Sequence, residues 1–223
     1  KIIIPISILS LVFIIDYYNK YYKPNTSFEA ESIFLYVMKD DSIAFRDSIS
    51  KYIKSEKTFY KVAEKLEYLE NKKTGRFKIK RGIGNNDIVN SLKFNNTPVN
   101  VTFNNQERVE DLAGRLSNQI YEDSISLLSA FTDKDFLEKN NLNEKNVLSI
   151  FIPNSYNIYW NTTSENFRDR MLSEYNKFWN KDRSDKAEEL GLTKLEVISL
   201  ASIVQLESRK VDERPRVAGL YVN

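Results

Sequence analysis

Apolar residues between positions 33 and 120 occur in short runs, on every second residue, or about every 3.6 residues. The first two patterns are typical of strands, and the third is typical of a helix with one buried face. They predict strands at 33–37, 75–80 and 99–103. They predict helices at 43–53, 57–69, 85–92 and 108–120. Strands and helices in this order indicate a compact α+β module over residues 33–120.

The chain opens on an apolar run, residues 2–15, that only two serines and a proline interrupt. Tyrosines and lysines follow it, and such residues are enriched where a helix leaves a bilayer. The run is shorter than the ~20 residues that cross a bilayer, but the chain begins at Lys1 without an initiator Met, so we expect its start to be missing. We therefore predict a truncated membrane anchor with its interface at 1–23 and a linker at 24–32. A secretory signal and a buried N-terminal helix are the alternatives.

A second apolar run, residues 147–153, ends at Pro153 and precedes aromatic residues interleaved with Asn and Ser at 154–160. We predict a loop at 154–160. Aromatic rings stack on sugar faces and amides hydrogen-bond to hydroxyls, so this loop suits a glycan. A hydrophobic plug between two helices is the alternative. A further amphipathic helix is predicted at 164–179.

The last predicted helix begins after Thr193 and is apolar on nearly every side. Thr193 and Glu196 have the spacing of a capping box, in which each residue satisfies a free backbone N–H at the helix start. A helix that is apolar all round is normally buried. Glu207 stands at its far end, on the face that also carries Ile203 and Val204.

Two effects at Glu207 favour the protonated form of its carboxyl group. Burial disfavours the charge, and so does the negative end of the helix dipole. A protonated carboxyl is what a general acid needs. The alternative is an ion pair with Arg209, Arg214 or Arg216, which would make Glu207 a structural residue.

Composition narrows the chemistry further. The 33 Lys and Arg residues nearly balance the 31 Asp and Glu residues, so no basic patch points to nucleic acid as a partner. The chain has no Cys and no His. Thiol and imidazole catalysis and the common zinc sites are therefore excluded, and we expect no metal and no cofactor. Acid and base chemistry is left to carboxylates, Lys or Tyr.

Two stretches near the end of the chain carry a family resemblance. Residues 200–208 read Leu-Ala-Ser-Ile-Val-Gln-Leu-Glu-Ser, and residues 212–223 read Asp-Glu-Arg-Pro-Arg-Val-Ala-Gly-Leu-Tyr-Val-Asn. They resemble the endolytic murein transglycosylases, the YceG-like family. In that family an Ala-Ser-Ile-Ile/Val helix ends in Glu-Thr or Glu-Ser, and a charged loop and a strand follow. Residues 151–156 resemble the family's Phe-Pro-Asp-Thr-Tyr loop, and residues 75–79 resemble the Gly-x-Tyr strand of its LysM-like module.

The resemblance implies a fold. The implied fold is that of an α+β protein with an N-terminal membrane helix, a small LysM-like α+β module at 33–120, and the first part of a lysozyme-like or YceG-like catalytic domain at 121–223. Many members have a second Glu two residues before the catalytic one. Gln205 stands there in this chain, which favours Glu207 as the catalytic residue. The family's domain continues beyond the position of Asn223, so we expect the C-terminal remainder to be absent.

The resemblance also implies an activity, that of a peptidoglycan lytic transglycosylase. Such an enzyme cleaves the β-1,4 bond between N-acetylmuramic acid and N-acetylglucosamine and leaves 1,6-anhydro ends. Glu207 would act first as the general acid and then as the base. Ser208, Tyr156, Trp160 and Asn223 are the predicted substrate-binding residues. No cofactor or metal is implied.

The expected location is the bacterial cytoplasmic membrane, crossed once, with the catalytic domain on the outer side. Glycan strands and the membrane are then the partners. One alternative is a non-catalytic anchored scaffold that binds peptidoglycan and recruits cell-wall synthesis proteins. Another is a tethered structural domain without affinity for glycan.

Overall fold

The computed structural model describes residues 3–222, with side chains from Ser10 onward. The chain forms two compact units. The first unit comprises the residues up to Asn100 together with Asn157–Asn161. The second unit comprises Val101–Tyr156 together with the residues from Thr162 onward.

The first unit contains both helices and strands. They are α1 (Ile3–Tyr21), β1 (Ser32–Val37), α2 (Ser42–Ser50), α3 (Glu56–Lys65), β2 (Gly75–Lys80) and α4 (Asn85–Phe94). Strands β3 (Pro98–Phe103) and β4 (Asn154–Tyr159) form a separate two-stranded sheet.

The second unit is helical apart from its share of β3 and β4. Its helices are α5 (Val109–Ser117), α6 (Ser124–Phe131), α7 (Lys134–Lys139), α8 (Ser164–Phe178), α9 (Lys181–Glu189), α10 (Lys194–Glu207) and α11 (Arg214–Val222), with a 3₁₀ turn at Val147–Ile150. The described residues thus have an α+β fold that is mostly helical with small two-stranded sheets.

The core of the first unit lies between the β1–β2 sheet and helices α2, α3 and α4. The two strands are antiparallel, with Val37 opposite Gly75 and Ser32 opposite Lys80. Alternate residues of each strand point inward because side chains of a strand alternate between its faces. The buried residues are Leu35, Val37, Phe77 and Ile79 from the strands and Phe45, Ile49, Phe59, Val62, Ile88, Val89 and Leu92 from the helices.

Amide side chains fasten the segment before β1 to this core. Asn25 is buried, and its Nδ2 donates to Oδ1 of Asn85 at 2.7 Å. Its Oδ1 accepts from the backbone N–H of Ser55 at 2.8 Å. Asn85 in turn donates to the carbonyl of Lys20 at 2.8 Å. These bonds satisfy polar groups that would otherwise be buried without partners.

Phenylalanines form the centre of the second unit. The Phe131 ring lies 4.6 Å from that of Phe151 and 6.1 Å from that of Phe167, measured between centroids. Other buried apolar side chains of this unit include Leu112, Leu116, Leu127, Val147, Ile150 and Met171. The apolar run at 147–153 and the helix predicted at 164–179 therefore supply core, as their patterns indicate.

The predicted N-terminal membrane helix is wrong. No helix within residues 3–222 is both long and apolar enough to span a membrane. Helix α1 has 19 residues, but Asp16, Asn19 and Lys20 fall inside it. The Lys20 ammonium pairs with the Asp16 carboxylate one turn away. The apolar part of α1 is therefore shorter than the ~20 residues that cross a bilayer.

Other predictions also differ from the structure. Residues 154–159 form strand β4 and not a loop, with Tyr156 and Ile158 buried on one face. Helix α3 ends at Lys65, and Glu67 has a left-handed φ of 55° that stops it short of residue 69. The strand implied for the end of the chain is helix α11, which satisfies its own backbone hydrogen bonds where no neighbouring strand is present among the described residues.

Helix α10 is mostly exposed, contrary to the predicted burial. Val204 is its one buried residue within the described chain, whereas Leu206 is 83% exposed and Ile203 is 41% exposed. Val211 and Leu220, in and beyond the turn that follows, are also largely exposed. The limits predicted for the linker, the LysM-like module and the catalytic domain stay predictions.

Candidate active site

Helix α10 begins with the predicted capping box. The Thr193 hydroxyl oxygen accepts from the backbone N–H of Glu196 at 3.2 Å, and the backbone N–H of Thr193 donates to the Glu196 carboxylate at 2.7 Å. The bond from the Thr193 N–H lowers the pKa of Glu196 because it favours the charged form. The capping box therefore stabilises the first turn of this exposed helix.

The helix ends at Glu207 because the next residue leaves the helical conformation. Ser208 has φ −132° and ψ 121°, which are extended values. Its buried hydroxyl oxygen lies 3.1 Å from two acceptors, the carbonyl of Lys210 and the carboxylate of Glu213. The Lys210 N–H donates back to it at 3.2 Å. Nε of Arg214 donates to the Ser208 carbonyl at 3.3 Å. These bonds fix the turn that presents Glu207.

Glu207 itself is exposed to solvent. Among residues 3–222 its carboxylate accepts no hydrogen bond and forms no ion pair, so neither the predicted burial nor the alternative ion pair is present. A carboxylate without a partner can reach a ligand and can take up or release a proton without first breaking another contact.

Amide groups lie beside this end of the helix. Nδ2 of Asn105, in the loop after β3, donates a hydrogen bond to Oε1 of Gln205. Gln106 holds the same loop by donating to Oδ1 of Asn104 at 2.8 Å. The surface near Glu207 therefore combines apolar side chains of α10 with amides. Asn105 was not among the predicted site residues, although a run of Asn and Gln follows the predicted strand directly and was an available signal.

The other predicted site residues are found in different surroundings. Tyr156 is buried in the second unit, where its ring stacks on Phe103 with centroids 5.7 Å apart. Its hydroxyl donates to the carbonyl of Ile152 at 2.6 Å, and burial raises its pKa. Trp160 belongs to the first unit and packs against Tyr36.

Two of the predicted substrate-binding residues, Ser208 and Asn223, have no free hydroxyl or lie outside the described residues. The Ser208 hydroxyl is occupied within the turn, and Asn223 lies outside the described residues. The predicted contacts of Ser208, Tyr156, Trp160 and Asn223 with substrate stay predictions. Within the part of the chain that the structure describes, no three acidic side chains come together as a metal site would require.

Comparison with known proteins identifies the family. The sequence profile of the YceG-like family matches residues 41–223. A crystal structure of a yceG-like protein from Listeria monocytogenes is similar to this chain at 14% sequence identity, with 82% of this chain and 67% of that chain covered and a TM-score of 0.49. A search of curated protein sequences gave no match. The family includes endolytic murein transglycosylases and implies a peptidoglycan substrate, and this chain, matched by its profile from residue 41 onward, belongs to the YceG-like family.

Proposed function

We propose that this protein is a lytic transglycosylase that cleaves the β-1,4 bond between N-acetylmuramic acid and N-acetylglucosamine in peptidoglycan, with Glu207 as its catalytic residue. The observation that supports this most is the exposed, unpaired carboxyl group at the end of α10, in a chain of the YceG-like family. Because the chain has no His or Cys, a carboxyl group is the natural choice for the acid and base steps.

The proposed reaction needs one carboxyl group. A bound glycan covers Glu207 and excludes water, which favours the protonated form. The carboxyl proton passes to the glycosidic oxygen, the bond from that oxygen to C1 of the muramic residue breaks, and C1 acquires oxocarbenium character. The Glu207 carboxylate then takes the proton of the muramic 6-hydroxyl as O6 bonds to C1. The ring closes to a 1,6-anhydro sugar, and no water is consumed.

The turn after α10 supports this role by position. The backbone of the turn directly after Glu207 is fixed by hydrogen bonds among Ser208, Lys210 and Glu213. Asn105 links the neighbouring loop to the same helix through Gln205. Because peptidoglycan lies outside the cytoplasmic membrane, the proposed function requires the protein to act on that side.

The test is digestion of purified peptidoglycan by the protein and by its Glu207→Gln variant, with mass spectrometry of the soluble fragments. Glu189→Gln is the matched control, because Glu189 is also an exposed last residue of a helix, α9. We expect anhydro-muramic ends with the parent and with Glu189→Gln. We expect a loss of at least about 10²-fold with Glu207→Gln, which is the usual size of a general acid–base contribution.

Other products would contradict the proposal in defined ways. Reducing ends would indicate a hydrolase that uses water and therefore needs a second catalytic group. Equal cleavage by the parent and Glu207→Gln would exclude Glu207 as the acid. Binding without cleavage by the parent would favour the non-catalytic scaffold.

A further inference from the structure

A cavity of about 410 Å³ opens in the second unit beside the start of α10. The segment after α7, the 3₁₀ turn, helix α8 and the first residues of α10 line it. Ligand pockets in proteins commonly have volumes of about 300–1,000 Å³. The cavity therefore has room for a small ligand or for the end of a longer one, and its lining indicates which kind.

One part of the lining is apolar. Ile150 is fully buried, and Leu142, Leu172 and Leu195 are half-buried. Covering such surface favours binding, because it removes apolar area from water. This part of the cavity suits a ligand that carries methyl groups or other small apolar groups.

The polar part of the lining consists largely of amide side chains. Asn141 and Asn176 are exposed, and neither side chain makes a hydrogen bond with any described residue. Nδ2 of Asn140 donates to the carbonyl of Phe136 at 2.8 Å, and its Oδ1 stays available. An amide offers two N–H donors and a carbonyl acceptor. These amides are complementary to a ligand that has both N–H and C=O groups, as a peptide does.

Local backbone geometry explains only one of the two unpartnered amides. Asn141 has a left-handed φ of 54° where α7 ends, a conformation that Asn adopts more readily than most residues. The Leu142 N–H donates to the carbonyl of Leu137 at 2.8 Å and fixes this turn. Asn176 lies inside α8, where Asn is a poor helix former. Its amide therefore has no structural task among the described residues.

A single cation stands at the cavity. The Lys194 ammonium nitrogen lies 5.8 Å from the centroid of the Trp179 ring, and this cation–π contact keeps it near the wall. Lys194 forms no ion pair with any described residue. None of the described side chains that line the cavity is acidic. An unpaired cation without neighbouring anions favours a ligand with a negative group.

The cavity and Glu207 lie at opposite ends of one helix. Helix α10 has 14 residues, so its ends are roughly 20 Å apart. Fourteen residues make nearly four turns, so Thr193, which lines the cavity, and Glu207 lie on nearly the same side of α10. An extended peptide of five residues spans about 17 Å. A peptide attached to a sugar at Glu207 therefore has about the length needed to reach the cavity.

We infer that this cavity binds the carboxyl-terminal end of a peptidoglycan stem peptide while the glycan that carries the peptide lies at Glu207. Asn141 and Asn176 exchange hydrogen bonds with peptide groups of the stem. The Lys194 ammonium pairs with the terminal carboxylate, and the apolar part of the lining contacts alanine methyl groups. The choice of this peptide rests on the proposed function.

Binding of isolated peptides tests the inference without any cleavage. The probe is a diacetylated tripeptide of one L-lysine and two D-alanines, which ends as a stem peptide does and carries no sugar. Its carboxyl-terminal amide lacks the negative charge, and an N-acetylglucosamine tetramer lacks the peptide. Calorimetry gives the affinities. In a Trp160→Phe background, Trp179 is the one remaining tryptophan, and its contact with Lys194 makes its fluorescence a reporter of the cavity.

The charge arm compares the tripeptide with its amide. We expect the parent to bind the free acid about fivefold more tightly at low salt, and this preference to shrink at high salt. Lys194→Gln should remove the preference. Lys134→Gln is the matched control, because Lys134 is also exposed at the start of a helix, α7, and forms no ion pair with a described residue. It should keep the preference.

The amide arm uses Asn176→Leu, with Asn166→Leu as its control. Asn166 is also an exposed residue of α8 whose side chain makes no hydrogen bond with a described residue. We expect Asn176→Leu to weaken the tripeptide and its amide alike, by about fivefold, and Asn166→Leu to leave both affinities within about twofold. Circular dichroism melting of each variant shows that the fold is retained.

Several outcomes would overturn the inference. Equal binding of the acid and the amide by the parent would exclude the contact with Lys194. Tripeptide affinity that Asn176→Leu leaves unchanged would place the peptide elsewhere. A Trp179 response to the tetramer and none to the tripeptide would make the cavity a sugar site. Cleavage of peptidoglycan by a parent that does not bind the tripeptide would contradict this inference alone, whereas binding in the expected pattern without cleavage would contradict only the proposed function.

Discussion

At the scale of single residues, two buried tyrosine hydroxyls have no hydrogen-bond partner among the described residues. They belong to Tyr60 and Tyr68, and Tyr68 is almost fully buried in the first unit. A buried hydroxyl without a partner loses its bonds to water and gains nothing in exchange. We expect Tyr68→Phe to raise the free energy of unfolding by about 1 kcal/mol at neutral pH, as measured by urea titration.

The same variant has a pH signature. Burial raises the pKa of Tyr68 in the folded protein above its unfolded value of about 10. The stability contributed by this difference is fully present below about pH 10 and is lost as the pH rises further, because only the unfolded chain then ionises. Tyr68→Phe should therefore lose less stability than the parent between about pH 8 and about pH 10.5. An equal loss in both proteins would contradict this.

Glu207 shows what a sequence reveals about one residue and what it leaves open. The capping box and the apolar run predicted a helix that ends at Glu207. The structure confirms the capping box and the helix end. Its environment did not follow, because the apolar pattern predicts burial only if other elements cover the helix. Within the described chain α10 buries only Val204, so the exposure of Glu207 came from the structure alone.

At the scale of elements, the capping box of α10 matters more than it would in a buried helix. Most stability of helices in proteins comes from packing of an apolar face, and α10 buries little. We expect Thr193→Ala to weaken α10 locally by about 1 kcal/mol, seen as about fivefold faster amide hydrogen exchange along it. Thr193→Ser keeps the hydroxyl and is the control. Unchanged exchange in Thr193→Ala would show that packing fixes the helix.

Short strands and short helices mark the limit of what periodicity predicts. The alternation at 75–80 gave β2 with its observed bounds, because one face of that strand is buried and the other is solvated. Residues 154–159 alternate in the same way, but aromatic and amide side chains hid the pattern and a loop was predicted. Helices α6 and α9 were not predicted, although Asp123 and Asn180 cap them.

At the scale of the whole molecule, each compact unit has its own core and its own tryptophan. The chain has two Trp residues, Trp160 in the first unit and Trp179 in the second. Trp160→Phe leaves a fluorescence probe of the second unit, and Trp179→Phe leaves a probe of the first. Proteins with more than one core often unfold in more than one transition.

We expect matched core truncations to act on one unit at a time. Leu92→Ala removes a fully buried side chain from the first unit, and Leu127→Ala does so in the second. Each should lower the stability of its own unit by about 2–5 kcal/mol. The Trp160 signal should respond to Leu92→Ala and the Trp179 signal to Leu127→Ala. Equal shifts of both signals by either variant would show that the units unfold together.

The exposed apolar side chains of α10 and of the residues after it have a practical consequence for the protein in solution. Leu206, Val211 and Leu220 present contacts to any nearby molecule, and exposed apolar patches promote self-association. The small net charge of +2 gives little mutual repulsion between copies. The colloidal stability of a sample therefore falls as its concentration rises. Light scattering on a dilution series gives the highest concentration at which the protein stays dispersed, and cleavage rates are measured below it.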